Sequence, residues 1–374
     1  MRIALVTEYY YPHLGGVTEH VYNLARELQR HGHPTIVVTA NMDRPPRCAD
    51  LDHDAGDDEF VRRVGTSRTI YSAGSFARVT TGIGLRRALR ELFRRERIDI
   101  VHVHGGLNPT LGLIAPEAAG DLGLPVVATF HSWFSRSALC RVFRTPLQRR
   151  LDGHAANLAV SRPVVEAHAR YFDADWEIVP NGVDTNFFRA ARRADTEARS
   201  GLLFLGRLDP RNGLDTVFAA MPRVLARHPE ARLTVAGDGP LRPVYERLAR
   251  PLGSAVRFVG RVNGDRPTHY AGADLYLCPT TQASFGVTLL EAMACETPMV
   301  VSDITGFREL IAGGREAVLV PKSRPEAWAD AVLALLDDRS RRVEMGAAGR
   351  RKAETYAWPR IAEQVTQVYR RVVR

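Results

Sequence analysis

Short apolar runs alternate with longer amphipathic stretches along this chain, and the alternation predicts strands interleaved with helices. The first run is 2–7 (RIALVT), followed by a loop holding Tyr9, Tyr10, Tyr11, Pro12 and the pair Gly15-Gly16. From about Thr18 to His31, Val21, Leu24, Ala25 and Leu28 keep helical spacing, and Gly32 stops the helix. Further strands are expected at 35–39, 98–104 and 125–130. The second of these ends in His102 and His104, which share one face, and the third ends at His131. The rhythm repeats later, with strands at 202–205, 232–236, 256–259 and 275–277 and helices at 214–227 and 287–294. Residues 189–200 are polar and small and read as a linker. The expectation is an α/β chain of two doubly wound Rossmann-like domains facing a cleft, 1–188 and 189–355, closed by a helix over 356–374.

Composition narrows the class. At 374 residues and 45% apolar, the chain suits two globular domains, each able to bury its own core. No stretch reaches the roughly 18 consecutive apolar residues of a spanning helix, and MRIALVTEYY reads as a strand rather than a secretory leader. Cys48, Cys140, Cys278 and Cys295 are scattered without CxxC spacing, which indicates neither a zinc site nor a disulfide framework and suits a reducing cytoplasm. The net charge of +9 rests almost wholly on arginine, since Lys322 and Lys352 are the only lysines. A basic balance favours anionic lipid or phosphorylated substrates, and no nucleic-acid-binding motif accompanies it.

The helix expected at 85–97 sets Leu85, Leu89, Leu92 and Phe93 in a stripe beside Arg86, Arg87, Arg90, Arg94, Arg95 and Arg97. Two readings stay open: an amphipathic helix facing its own core, or a lipid-facing helix with basic flanks. Residues 41–59 read as an exposed polar loop, and Asp173-Ala174-Asp175 as a surface turn.

The candidate chemistry centres on 278–303, which reads as strand, glycine turn, helix and strand. Such a junction points free backbone N–H groups and the positive helix end at one spot, suiting phosphate or sugar oxygens. Glu291 lies about one turn inside that helix, within reach of sugar hydroxyls. Gly15-Gly16 at the first strand–helix turn offers a second close backbone approach. His131, at the carboxyl end of a parallel strand, sits on the ligand face of an α/β sheet. His102 and His104 form a pair without an evident third ligand, so no metal site is expected.

These motifs, in order, are GGV at 15–17, HVHGGLNPT at 102–110, TFHS at 129–132, AVS at 159–161, VPNGVD at 179–184, GR at 206–207, AGDGP at 236–240, FVGR at 258–261 and SFGVTLLEAMA at 284–294. Together they resemble the family-4 retaining glycosyltransferases of the GT-B fold, especially the phosphatidylinositol mannosyltransferases and their relatives. The resemblance implies a nucleotide-diphosphate sugar, UDP- or GDP-linked, as donor and co-substrate. The acceptor would be a hydroxyl on a lipid-linked, inositol or saccharide compound. Neither cofactor nor metal is implied, and the expected location is cytoplasmic, with peripheral contact at an anionic membrane face.

By the same resemblance Arg207 would hold the diphosphate, while Gly16, Phe285, Gly286 and Val287 would offer backbone amides. Glu291 would contact the ribose, and Arg261, Val262 and Asn263 the base. His131 would lie near the sugar's O6 and, with Arg207 and Glu291, form the catalytic set. Tyr9, Tyr10 and His104 are the candidates for the acceptor. Two positions depart from the family. Asn212 stands where a lysine is usual, with Arg211 next to it as a replacement charge, and Ala283 stands where the first of two glutamates is usual. The alternatives are a nucleotide-sugar 2-epimerase and a non-catalytic nucleotide-sugar-binding protein.

Overall fold

The computed structural model describes residues 1–13, 15–42, 59–72, 75–189, 201–311 and 313–373, and of 70–77 the backbone alone where given. Its contacts divide it into two α/β units, Met1–Asn181 with Trp358–Arg374, and Gly182–Ala357. Most of the polar loop expected at 41–59 and of the linker expected at 189–200 lies outside the described residues.

The first unit holds β1 (Ile3–Thr7), α1 (Gly16–Arg30), β2 (Thr35–Met42), β3 (Val61–Ser72), β4 (Ser75–Thr81), α2 (Leu85–Arg95) and β5 (Ile100–His104). It continues with α3 (Leu111–Gly120), β6 (Val126–Phe130), α4 (Ala138–Val142), α5 (Arg144–Asp152), β7 (Ala156–Ala159), α6 (Arg162–Ala169) and β8 (Trp176–Ile178). Its sheet has the order β4-β3-β2-β1-β5-β6-β7-β8. Every residue of β1, β5 and β6 is buried, as expected of parallel strands covered on both faces. At the opposite edge β3 and β4 pair antiparallel, from Thr66 with Thr81 to Ser72 with Ser75, a hairpin the apolar pattern does not announce.

Helix α2 settles the choice between core and lipid. Leu85, Leu89, Leu92 and Phe93 are all buried, so the stripe has no face left for a membrane. Its arginines meet carboxylates as well: Arg86 Nε donates to Asp121 Oδ2 at 2.9 Å, and Arg94 pairs with Glu91 at 3.3 Å. The lipid-facing reading of this helix is therefore corrected. Among the described residues, no helix is long and apolar enough to cross a membrane.

The second unit holds β9 (Gly201–Leu205), α7 (Leu214–Arg227), β10 (Arg232–Ala236), α8 (Arg242–Ala249), β11 (Val256–Gly260), α9 (Arg266–Gly272) and β12 (Leu275–Cys278). After these come α10 (Val287–Ala294), β13 (Met299–Ser302), α11 (Thr305–Arg308), β14 (Val318–Val320), α12 (Pro325–Leu336) and α13 (Arg339–Thr355). Its all-parallel sheet runs β11-β10-β9-β12-β13-β14. The final helix α14 (Trp358–Val372) belongs to the first unit, where Ile361, Val365, Val368 and Tyr369 join Leu24 and Leu28 of α1 in one core. Each fully buried aliphatic side chain there contributes about 1.5–3 kcal/mol, enough in sum to hold the helix in place.

In both units the strand order reverses at one point, between β1 and β5 and between β9 and β12. Loops at the carboxyl ends of strands diverge at such a point and leave a crevice for ligands. Glu8, Tyr9 and His104 stand at the first reversal, and Gly206, Arg207 and the 279–286 loop at the second.

Candidate active site

In the second unit, three strand ends build the site. Arg207 follows β9, exposed and with no carboxylate partner among the described residues. The turn that presents it is packed tightly. Gly237, at φ 140°, brings its Cα so close that a Cβ would lie 1.9 Å from the Gly206 carbonyl oxygen, so only glycine fits. Asn212 Nδ2 donates to the Arg207 carbonyl at 2.6 Å, while its Oδ1 accepts from Thr280 Oγ1 at 3.3 Å. Asn212 thus pins the Arg207 loop against the 279–286 loop, and its side chain brings no charge. Arg211 is half exposed and faces Asp209 at 3.5 Å, which partly offsets the positive charge expected there.

Gly286, φ 108°, stands at the cap position before helix α10 and offers no side chain, so the N–H groups of the helix's first turn have no capping side chain. Phe285 is buried beside Tyr356, ring centroids 6.0 Å apart, and Val287 is partly exposed at the helix start. Arg261 is exposed, and Val262 and Asn263 are partly exposed, on the loop after β11.

Glu291 differs from expectation. It is only 3% exposed, and both carboxylate oxygens are engaged: Arg266 Nη1 donates to Oε1 at 2.6 Å and Tyr270 OH to Oε2 at 2.9 Å. A ligand hydroxyl would therefore use the remaining lone pairs of a carboxylate already fixed in place. Sequence reasoning missed Arg266 and Tyr270. Their spacing of four residues at the start of α9 puts them on one face, but nothing local marks that face as turned toward α10.

In the first unit the fold gathers histidines. His131 follows β6, His102 and His104 lie on β5, and His20 lies on α1. His104 Nδ1 is 3.2 Å from His131 Nε2, and the His20 ring centroid is 4.8 Å from that of His131 and 5.2 Å from that of His104. His20 Nδ1 meets Asn181 Oδ1 at 2.8 Å; with the amide oxygen accepting, the proton sits on Nδ1 and Nε2 keeps its lone pair. His102 bridges Tyr369 OH at 2.6 Å and Thr129 Oγ1 at 2.7 Å. Burial drives all four imidazoles toward the neutral form, His20 to about 4 and His102 to about 3, with His104 and His131 well below 6.5. Neighbouring imidazoles deepen the shift for the last three.

His104 and Tyr10 are corrections to the expected acceptor contacts. His104 is 1% exposed and backs His131 from within, and Tyr10 is 2% exposed and part of the core. Tyr9 stays partly open, its hydroxyl accepting from the Arg78 backbone N–H at 3.3 Å. The expected pair of His102 and His104 gains no third ligand, since His102 is taken up by Tyr369 and Thr129, but one ring nitrogen each of His20, His104 and His131 lies within 4.8 Å of the others. Neutral imidazoles are the form that binds a cation such as zinc.

Glu8, unforeseen, ties the reversal together. Its Oε1 accepts from Leu111 N at 2.7 Å and from the Thr110 hydroxyl, and its Oε2 from Thr80 Oγ1 at 2.5 Å, while burial raises its pKa. Helix α1 starts at the exposed Gly16 with no side-chain cap, so this N-terminus too has no capping side chain for its first-turn N–H groups.

Comparison with known proteins follows the same division. Residues 14–187 match the family model described as Glycosyltransferase Family 4, and residues 199–338 the one described as Glycosyl transferases group 1. The chain is 32% identical to a phosphatidyl-myo-inositol mannosyltransferase of Mycobacterium tuberculosis, over 100% of this chain and 97% of that protein. It is 30% identical to a GDP-mannose-dependent alpha-(1-6)-phosphatidylinositol monomannoside mannosyltransferase of the same species, over 99% of this chain and 98% of that protein. Among solved structures, Anabaena HepE in complex with UDP superposes with a TM-score of 0.79 at 16% identity, covering 99% of this chain and 100% of that one. Sucrose-phosphate synthase from Thermosynechococcus elongatus does so with 0.75 at 22%, covering 99% and 98%. These two likenesses concern the fold.

Proposed function

This chain belongs to glycosyltransferase family 4, retaining enzymes of the GT-B fold, and we propose that it moves a mannosyl group from GDP-mannose to a hydroxyl of an inositol-bearing lipid. The supporting observation is the full-length identity to mannosyltransferases whose names specify that donor or that acceptor class.

The second unit takes the nucleotide. Arg207, exposed and without a carboxylate partner among the described residues, meets the diphosphate and stabilises the charge that grows on it as the glycosidic bond breaks. The first-turn amides of α10 add donors at the same loop cluster. Glu291 accepts from the ribose, and the 261–263 loop contacts the base. In the first unit His131, held neutral by burial, offers one hydrogen bond to the sugar rather than a charge, and Tyr9 contacts the acceptor. The uncapped start of α1 at Gly16 suits an anionic group of a substrate.

Ala283 and Asn212 favour a second reading, a non-catalytic nucleotide-sugar-binding protein, since each removes a charged group usual in the family. One experiment separates the two: the protein is incubated with labelled GDP-mannose and with UDP-sugars, with and without detergent-dispersed phosphatidylinositol. Lipid-soluble label from GDP-mannose alone is expected. Transfer from UDP-sugars instead would overturn the donor, and donor binding with no release of nucleotide would leave the binding protein. The reaction is read as metal-independent, so chelator should leave the rate unchanged; loss restored by magnesium or manganese would refute this.

A further inference from the structure

His20 of α1, His104 at the end of β5 and His131 just after β6 each bring one ring nitrogen to a common spot, within 4.8 Å of one another. His20 and His104 are buried, whereas His131 stays partly open. Each ring is held by something other than its two companions. Asn181 Oδ1 takes His20 Nδ1 at 2.8 Å, which leaves Nε2 and its lone pair as the nitrogen available to a cation. An oxygen on the far nitrogen is the support that metal-binding histidines ordinarily carry, and it fixes both tautomer and ring. His104 is backed by His102, ring centroids 4.3 Å apart, and His102 is itself tied to Tyr369 and Thr129.

His104 Nδ1 and His131 Nε2 stand 3.2 Å apart and share one N–H···N bond. His104 Nε2 is buried and has no hydrogen-bond partner among the described residues. Whichever ring donates, one nitrogen of a buried imidazole goes unsatisfied, an exception among buried polar groups. Nothing at Nε2 therefore holds the His104 proton to one nitrogen, and the ring can carry it there while its Nδ1 lone pair turns to a cation. Zinc bound tetrahedrally at about 2.0–2.1 Å sets its nitrogens about 3.3–3.4 Å apart, so this pair already has the required separation. His20 has at most about 1.5 Å to close, within reach of a side-chain rotation.

We infer that His20, His104 and His131 form a site for a transition-metal cation, zinc above all, and that filling it inhibits the enzyme by taking the His131 nitrogen away from the donor sugar. Three imidazoles without an oxygen ligand select zinc, cobalt, nickel or copper over magnesium, manganese or calcium. The fourth tetrahedral position falls to a water on the open side of His131. The cation is an inhibitor and not a cofactor, so it leaves the transfer itself metal-independent. The site stands on the geometry of the three rings, and its inhibitory effect rests on the role proposed above for His131.

The test titrates chelator-stripped protein with zinc against a chromophoric chelator, and with cobalt by absorption, alongside mannosyl transfer to detergent-dispersed phosphatidylinositol. The parent should take up one equivalent of zinc, displaced by cobalt but not by excess magnesium. Bound cobalt should show the intense visible bands of tetrahedral coordination and no thiolate charge-transfer band. His20→Asn and His131→Asn should each weaken uptake by more than about a hundredfold. Asn181→Ala keeps the three ligands but removes the support of His20, and should weaken it by roughly 10–100-fold. Cys140→Ser with His228→Asn, outside the trio, should bind like the parent. Zinc should lower the transfer rate in step with occupancy, and chelator should restore it. A parent that takes up no zinc, cobalt with thiolate bands, or a His20→Asn variant that melts like the parent and binds zinc as tightly, overturns the site. Zinc bound with no loss of rate overturns the inhibition. Zinc uptake as described by a protein that transfers no sugar supports the site and refutes the proposed reaction alone.

Discussion

Arg266 Nη1 lies 2.6 Å from Glu291 Oε1 in an ion pair whose side chains are only 16% and 4% exposed. The guanidinium also lies over the Phe188 ring, 5.3 Å from its centroid, and its Nε donates to the Asn263 carbonyl at 3.2 Å. One side chain thereby connects the loop expected to contact the base with the carboxylate expected to contact the ribose. Removing Arg266 leaves a buried carboxylate without its cation.

Arg266→Gln should therefore lower stability by about 3 kcal/mol, the low end for breaking a buried pair, and weaken nucleotide binding with it. Urea unfolding and calorimetric titration with GDP measure the two effects. Arg266→Lys should recover part of the affinity. Unchanged GDP affinity in the glutamine variant would show that the pair serves stability alone.

Arg207→Ala should cost about 3 kcal/mol of transition-state stabilisation, roughly a hundredfold or more in kcat, the scale for one electrostatic donor. The side chain is exposed, so melting should not change. Turnover equal to the parent at saturating donor would remove Arg207 from the catalytic set.

The buried histidines give stability a pH dependence of known sign. In the unfolded chain His20 and His102 take up protons near 6.5, but in the folded protein only near 4 and 3. The unfolded state therefore binds more protons as pH falls, and stability is lost from about pH 6.5 downward, continuing toward 4 and 3. Urea midpoints should fall steadily from pH 7 to 4.5, and His20→Asn should flatten the curve. A flat parent profile would mean that these imidazoles are not held neutral.

Ala283 marks the clearest departure from the family. A glutamate there would set a negative charge and two acceptors against the donor sugar, whereas alanine leaves space. Ala283→Glu fills that space and should lower kcat/KM with GDP-mannose and shift preference toward other hexoses. Faster turnover of the same donor would show a weakened version of the usual site.

Local spacing was enough to read the stretch from 275 to 302. Leu275–Cys278 is a strand, Gly286 the turn, Val287–Ala294 the helix and Met299–Ser302 the next strand, because apolar periodicity and a glycine are signals carried within a few residues. The same holds for the α/β alternation and the positions of Arg207 and His131 at strand ends. What a side chain faces is set by chain segments far away in sequence, and there the sequence by itself was silent. Leu85, Leu89, Leu92 and Phe93 have a helical stripe whichever partner covers them, and only the packed unit shows that its own core does. His20, His104 and His131 come from three separate elements, and Glu291 meets Arg266 across 25 residues. Burial and ion pairing are long-range consequences of packing, so the tertiary structure decided that Tyr10 and His104 lie inside, that Glu291 is already paired, and that the apolar stripe of α2 faces its own core.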